Sequence, residues 1–366
     1  MNETPTICYS LADQSFAQTK SLGILNLSLG LLEALNARGV PLKVLGNETL
    51  RRALPNDVNT HEYNGAIGGK LGRVWWDQWK VYSAARRTKA DWLFLPKGFT
   101  SFTREPPMRL AAYVHDTIQD FYRENHPNAV SDFEQWYFEN GLKSTLSSAD
   151  VIFTNSDFTA DEVRRKAKTV SARTPKVIKA GIGFRKPGTN IEKEDRIVVL
   201  TGRFPHKLTA QAIEWMARWD QAGNWPVDWI GSLPEGVTLP DRRNWRMHSR
   251  LPESDYRQMV NGCRVLVFFS EYEGFGMPPV EAALAGVCPV FSAIPVTTEV
   301  MMGTGCPFRN DDFDSFAKAM EEAKLVSESA VDEWGERLLK KHDWGGVADR
   351  VIEGLGEIKT RSWDND

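Results

Sequence analysis

The chain is poor in cysteine, in long apolar runs and in excess charge of either sign. Its four cysteines, Cys8, Cys263, Cys288 and Cys306, are scattered, with no CxxC or Cys–His spacing. They indicate neither a disulfide framework nor a zinc site, and read as small buried apolar residues. No apolar run approaches the ~20 residues of a membrane-spanning helix. Met1–Pro5 lacks the basic-then-apolar pattern of a secretory leader, so the expectation is a cytoplasmic protein. The formal net charge of −3 argues against nucleic-acid binding as the main task. Short-period repeats and low-complexity tracts are absent.

What is present suits two globular cores. The 366 residues are 42% hydrophobic and 25% charged, enough for two domains on the order of 100–200 residues each. Strand-like runs alternate with helical patterns, the order of a parallel α/β sheet. In the first half the runs are 6–9, 41–45, 92–95, 110–114, 151–154 and 177–180, with a helix over 23–38 that ends at Gly39. Residues 186–195, polar with Pro187 and Gly188, read as a linker. A second series runs through 196–201, 227–230, 245–248, 265–269 and 288–292, and closes with helices near 312–324, 328–341 and 344–358. The domains are expected at 1–185 and 196–343, followed by a terminal segment 344–366.

The most informative stretch is Ser270–Ala282. An apolar run leads into Glu273, Gly274, Phe275, Gly276 and Met277, then Pro278, Pro279 and Glu281. The glycines permit a sharp, close-approach backbone, and proline suits a first helical turn. A helix starting at the prolines puts Glu281 in its first turn, with free N–H groups facing the loop mouth. Two carboxylates and several donors on one crevice suit a polyol such as a sugar or ribose. Taken singly, each of these residues also fits an ordinary strand–loop–helix connection.

The combination resembles the signature of the retaining glycosyltransferases of the GT-B architecture, family four. That resemblance implies two Rossmann-like domains with parallel sheets facing a cleft, the donor bound between them and no metal or other cofactor. It implies that Glu273 accepts from the donor sugar, that Phe275, Gly276 and Met277 offer backbone N–H groups to it, and that Glu281 accepts from ribose. Gly202-Arg203…Lys207 resembles the family element whose cations hold the donor diphosphate, although the spacing is one residue shorter and Leu208 stands where Asn is usual. A leaving diphosphate needs fixed cations in a water-poor site, whereas the same residues could form a solvated basic loop with Thr209 as a helix cap. His115-Asp116 matches a family His-Asp pair: His115 would approach the sugar near the reacting carbon, and Asp116 would orient the imidazole or the local turn. Gly23 is the one glycine in register with the family's N-terminal diphosphate loop. Ser148–Ser156 reads either as site or as strand plus cap by Ser156 or Thr159, and Pro295–Val300 either as a turn placing Glu299 beside the nucleotide or as a loop with a capping Glu. The terminal helix is implied to cross back to the first domain.

Acceptor recognition falls to the first half. Trp75, Trp79 and Tyr82 share one helical face and are expected to face the core, with Trp75, Trp76 and Asp116 as acceptor-side candidates. The surrounding Arg51, Arg52, Lys70, Arg73, Lys80, Arg86, Arg87 and Lys89 offer a second reading, a peripheral contact with anionic lipid. Residues 1–185 carry a net charge of +5 and the remainder −8, which favours a membrane-facing first domain.

The expected activity is retaining transfer of a hexose, from GDP-mannose or a UDP-hexose, to a saccharide or lipid-linked saccharide in polysaccharide or glycolipid synthesis. Paired carboxylates also fit a glycoside hydrolase, which leaves Arg203 and Lys207 without a role. A nucleotide-sugar-binding subunit without turnover is the other alternative. Asp364-Asn365-Asp366 is a poor metal site at the chain's end.

Overall fold

The computed structural model describes residues 4–16, 22–63, 67, 69–170, 174–188, 191–220, 223, 225–249 and 251–357. They cluster into two compact units. One lies within Met1–Asp120, Val130–Gly183 and His342–Asp366, the other within Phe121–Ala129 and Phe184–Lys341.

Among the described residues the first unit carries a seven-stranded sheet. Its strands are β1 (Ile7–Ser10), β2 (Leu42–Gly46), β3 (Asn59–Glu62), β4 (Trp92–Leu95), β5 (Arg109–Val114), β6 (Val151–Thr154) and β7 (Lys176–Lys179). The order is β3-β2-β1-β4-β5-β6-β7 and every pair is parallel. A parallel strand covered on both faces needs an unbroken apolar run, and Ile-Cys-Tyr-Ser, Trp-Leu-Phe-Leu and Val-Ile-Phe-Thr are buried at every position. The two edge strands β3 and β7 are partly exposed, and β3, Asn-Thr-His-Glu, has no apolar signature from which to expect it.

The helices of this unit are α1 (Leu22–Ala37), α2 (Lys70–Trp75), α3 (Val81–Thr88), the start of α4 (Ile118–Asn125), α5 (Asp132–Ser148) and α6 (Asp157–Val170), joined by the terminal helix, which is named below. Between α2 and α3 the backbone makes a π-helical turn over Trp76–Lys80. This turn overturns the expected core-facing stripe. Trp75 is 48% and Trp79 40% exposed, whereas Trp76, Asp77 and Gln78 turn inward at 1%, 9% and 2%, and Tyr82 alone of the stripe is buried. A π-turn adds a residue to the helical repeat, so an i, i+4 pattern no longer tracks one face. The basic surround is also thinner than its sequence suggests, because Arg51 forms a 2.6 Å pair with Glu62. The Lys70 side chain lies outside the described residues.

The second unit's sheet comprises β8 (Glu194–Thr201), β9 (Val227–Gly231), β10 (Trp245–His248), β11 (Cys263–Phe268), β12 (Cys288–Ser292) and β13 (Cys306–Phe308). Its order is β10-β9-β8-β11-β12-β13, again parallel throughout. Helices α7 (Thr209–Trp219), α8 (Glu253–Gly262), α9 (Met277–Leu284), α10 (Pro295–Met301), α11 (Phe313–Leu325) and α12 (Glu328–Lys341) cover it. The core is aromatic, with Trp215 packed near Phe269, Phe308 and Phe316. Three-residue β13 was too short to read from sequence. Strand β8 begins at Glu194, inside the polar stretch taken as linker, whose residues 189 and 190 lie outside the described ones.

The last helix, α13 (Trp344–Gly356), belongs to the first unit. Its Trp344 ring fills the space left by two glycines: a Cβ on Gly30 or Gly183 would stand 2.2 or 2.3 Å from it. Arg350 donates to the Ala180 carbonyl at 2.8 Å, and Arg38 pairs with Asp349 at 2.6 Å. Ile358 and Asp364–Asp366 lie outside the described residues. All four cysteines are free and buried.

Candidate functional site

In each sheet the strand order reverses once, between β1 and β4 and between β8 and β11. Ligands of open α/β sheets bind outside the carboxyl ends of the strands at such a reversal. In the second unit the loops leaving β8 and β11 carry Gly202, Arg203, Lys207 and Glu273.

Lys207 Nζ donates to Glu273 Oε1 at 2.5 Å, and Ser270 Oγ lies 2.8 Å from the same oxygen. The two residues, expected to hold different parts of a donor, are thus paired with each other. Gly202 makes room for this arrangement, since a Cβ there would stand 2.8 Å from Lys207 Cγ. Its N–H donates to Thr209 Oγ1 at 3.1 Å and its carbonyl accepts from the same hydroxyl at 2.8 Å. Thr209 is therefore a staple between the loop and α7, not the expected N-cap, a position held by Leu208. Arg203 is exposed, lies over the Phe204 ring at 5.0 Å, and has no carboxylate partner among the described residues. A guanidinium and an ammonium on one loop are a suitable receptor for a diphosphate.

The Gly-rich loop departs from expectation in one respect. Helix α9 starts at Met277, with Gly276 as N-cap at φ +82° and Pro278 and Pro279 in the first turn. Glu281 is consequently beyond the first turn, which contains no acidic residue. Desolvation of its carboxyl by the surrounding protein raises its pKa above the ordinary carboxylate value instead of lowering it. Only glycine readily takes the Gly276 conformation, and Gly274 and Phe275 are buried beside it, Phe275 packing 5.8 Å from Phe184. Glu299 lies within α10 and is half-buried, so it is not a cap; the Thr297 hydroxyl accepts the Ile294 N–H at 3.2 Å instead.

Two contributors had no assigned role in the sequence. His206, in the loop between Arg203 and Lys207, has Nδ1 2.6 Å from the Tyr122 hydroxyl, and its carbonyl accepts the Glu271 N–H at 2.7 Å. Burial and then the Lys207 charge lower its pKa to about 4, so the ring is neutral at pH 7. Phe121 stacks on Tyr272 at 4.8 Å, and His126 lies 3.0 Å from Glu271. Residues 121–126 thereby brace both loops of the second unit, a pairing across more than 80 positions that no local pattern announces.

In the first unit, His115 follows β5 and its Nε2 lies 2.6 Å from the Pro96 carbonyl. A carbonyl only accepts, so the proton sits on Nε2 and Nδ1 is the acceptor nitrogen. Burial lowers this pKa to about 4 as well. Asp116 accepts the Ile118 N–H at 3.1 Å and organises the turn into α4. Ser156 caps α6, receiving the Thr159 N–H at 3.0 Å. Gly23 is the second residue of α1 and exposed; Lys20 and Ser21 lie outside the described residues.

The reversal between β1 and β4 holds a charged cluster that sequence reading did not single out. Lys97 pairs with Asp13 and, at 2.5 Å, with Asp77, which also accepts from Tyr137 at 3.0 Å. Burial is the main reason that the Asp77 carboxyl is raised to about 6. Asp13 Oδ1 and both polar atoms of Gln14 are buried without a hydrogen-bond partner among the described residues. Trp76 is fully buried and Trp75 lies at the surface under Lys80.

Known proteins match this arrangement. The family described as Glycosyl transferases group 1 matches residues 184–336, and Glycosyltransferase Family 4 matches residues 23–183. The serotype-specific mannosyltransferase WbdA of Escherichia coli is 31% identical over 119 residues, which are 32% of this chain and only 14% of WbdA. The O-antigen chain mannosyltransferase RfbU of Salmonella typhimurium is 24% identical over 67% of this chain and 69% of its own length. The solved sucrose-phosphate synthase of Thermosynechococcus elongatus superposes with a TM-score of 0.66 at 16% identity, covering 96% of this chain and 98% of that one. Two parallel α/β sheets, a site at the strand-order reversal and family matches to both halves lead to one assignment: the chain belongs to the group 1 glycosyltransferases, family four, and has the GT-B fold.

Proposed function

We propose that the protein transfers a hexose, with retention of anomeric configuration, from a nucleoside diphosphate sugar to a saccharide or lipid-linked saccharide during polysaccharide or glycolipid assembly. The observation that carries this reading is the Lys207–Glu273 pair at the β8/β11 reversal, with Arg203, which has no carboxylate partner among the described residues, on the same loop as Lys207. A glycoside hydrolase has no use for two cations there. A mannosyl donor such as GDP-mannose is favoured because WbdA and RfbU are mannosyltransferases by name; a UDP-hexose is the alternative.

In this mechanism the incoming diphosphate draws Lys207 from Glu273, joins it to Arg203, and releases the Glu273 carboxylate to accept from sugar hydroxyls. Glu281 accepts from ribose, Glu299 lies beside the nucleotide, Gly23 permits close approach to the diphosphate, and the Phe275, Gly276 and Met277 N–H groups meet sugar oxygens. The bond from the anomeric carbon to the phosphate oxygen breaks with its electron pair on that oxygen. The acceptor oxygen forms the new bond on the same face, and its proton passes to the leaving phosphate. Arg203 and Lys207 stabilise the charge that develops, a contribution worth ~10²–10³ in rate per donor in comparable sites. Neutral His115 offers Nδ1 to a sugar hydroxyl and has no proton to give at pH 7. The free oxygen of Asp13 and the Gln14 amide are candidates for acceptor hydroxyls.

No helix among the described residues is long and apolar enough to cross a membrane. The reading puts the enzyme in the cytoplasm, at the inner face of the membrane where lipid-linked acceptors present their saccharides. It requires no metal, so transfer is expected to persist in chelator. Incubation with GDP-mannose, UDP-glucose and simple aryl glycosides tests the reaction class. Nucleoside diphosphate release coupled to acceptor glycosylation is expected, and glycoside cleavage without nucleotide release would refute the transferase reading.

A further inference from the structure

The first unit holds a cavity of about 580 Å³ on the outer side of α2, the π-turn and α3. Its walls are aromatic: Tyr63, Trp75 and Trp76, with the Tyr63 and Trp76 rings meeting edge-on at 4.9 Å. One side is a stripe from the end of the π-turn along α3, Lys80, Ser83, Ala84 and Arg87, at the i, i+3, i+4, i+7 spacing of neighbours along a helix. Among the described residues no carboxylate lines the cavity. Lys80 lies 4.6 Å from the Trp75 ring, and neither it nor Arg87 has a carboxylate partner among the described residues.

The recess thus joins two cations to aromatic walls. Water would satisfy the cations but leaves the aromatic walls exposed; a free anion satisfies the cations and leaves the walls dry of contact. An anion attached to an apolar chain satisfies both.

We propose that this groove binds a lipid phosphate, a phosphate or diphosphate ester on an apolar chain, with the head along the Lys80–Arg87 stripe and the first carbons of the chain between Tyr63, Trp75 and Trp76. Charge complementarity selects the head, since Arg binds phosphate bidentately and Lys adds a compact charge. The π-turn is what makes the groove: by turning Trp76 inward while Trp75 stays at the surface, it sets two adjacent indoles on one recess. That this ligand is the anchored end of the acceptor rests on the transferase reading; the binding itself does not.

Isothermal titration calorimetry of the full chain with farnesyl diphosphate, inorganic pyrophosphate and farnesol is the test. Farnesyl diphosphate is expected to bind at least ten-fold more tightly than either fragment. The double variant Lys80→Ala, Arg87→Ala is expected to weaken it at least ten-fold with an unchanged melting temperature, since both side chains are exposed. Trp75→Ala, also at the surface, is expected to weaken it in the same direction. Equal affinity for pyrophosphate, or equal binding by the double variant, would overturn the proposal. So would binding to phosphatidylglycerol vesicles with none to farnesyl diphosphate, which would make the cations a charged surface and not a groove. A chain that binds farnesyl diphosphate but transfers no sugar contradicts the transferase reading alone, and an active chain that does not bind it contradicts the groove alone.

Discussion

The Tyr122 hydroxyl lies 2.6 Å from Nδ1 of His206, the residue immediately before Lys207. Because the His206 backbone carbonyl receives the Glu271 N–H, one side chain contact fixes the loop after β8 against the loop after β11. The cation and the carboxylate of the proposed donor site are therefore held in a fixed relative position.

Tyr122→Phe removes this bond and leaves a buried ring nitrogen unpaired, at a cost of about 1–2 kcal/mol. We expect a small fall in melting temperature and a larger rise in KM for the donor than change in kcat. A variant with normal donor KM would show that His206 positions nothing.

Gly202→Ala separates geometry from folding. Residue 202 does not have a left-handed backbone, so alanine is conformationally allowed, but its Cβ would displace Lys207. Transfer is expected to fall between about ten- and a hundred-fold with little loss of stability, in keeping with the cost of a misplaced catalytic group. Steady-state kinetics beside a thermal melt decide this.

Acid should destabilise the protein over a defined window. His115 and His206 bind protons near pH 4 when folded and near 6.5 when unfolded, so the unfolded chain takes up more protons between those values. Their depressed affinities leave stability flat above about pH 6.5 and reduce it as pH falls toward 4. Denaturant melts across pH 4–7 are expected to show a shallower loss for His206→Gln than for the parent chain.

Trp344 anchors α13 into the first unit between Gly30 and Gly183. Trp344→Ala is expected to cost about 3 kcal/mol, by the usual scale for a large aromatic, and Gly183→Ala to destabilise by overpacking. Urea unfolding of both variants measures it.

Much of the fold was legible because parallel strands buried on both faces are written as continuous apolar runs. Trp92–Leu95, Val151–Thr154 and Cys288–Ser292 fall where the sequence places them. Edge strand Asn59–Glu62 has no such run, and the π-turn at Trp76–Lys80 breaks the periodicity on which the Trp75–Trp79–Tyr82 stripe was read. Loop residues such as Arg203, Lys207 and Glu273 could be picked out by type and by their place after a strand. Their mutual contact, the bracing by Tyr122 and the Asp13–Lys97–Asp77 cluster join residues tens of positions apart, and local pattern carries no information on such pairs.

The central claim is that Arg203, Lys207 and Glu273 receive and activate a nucleoside diphosphate sugar. Coupled measurement of nucleoside diphosphate release and acceptor glycosylation, for the parent chain and for Arg203→Ala and Glu273→Ala, tests it most directly. The account predicts stoichiometric release and glycosylation in the parent and a loss of about a hundred-fold or more in each folded variant. Unchanged turnover in either variant would contradict it.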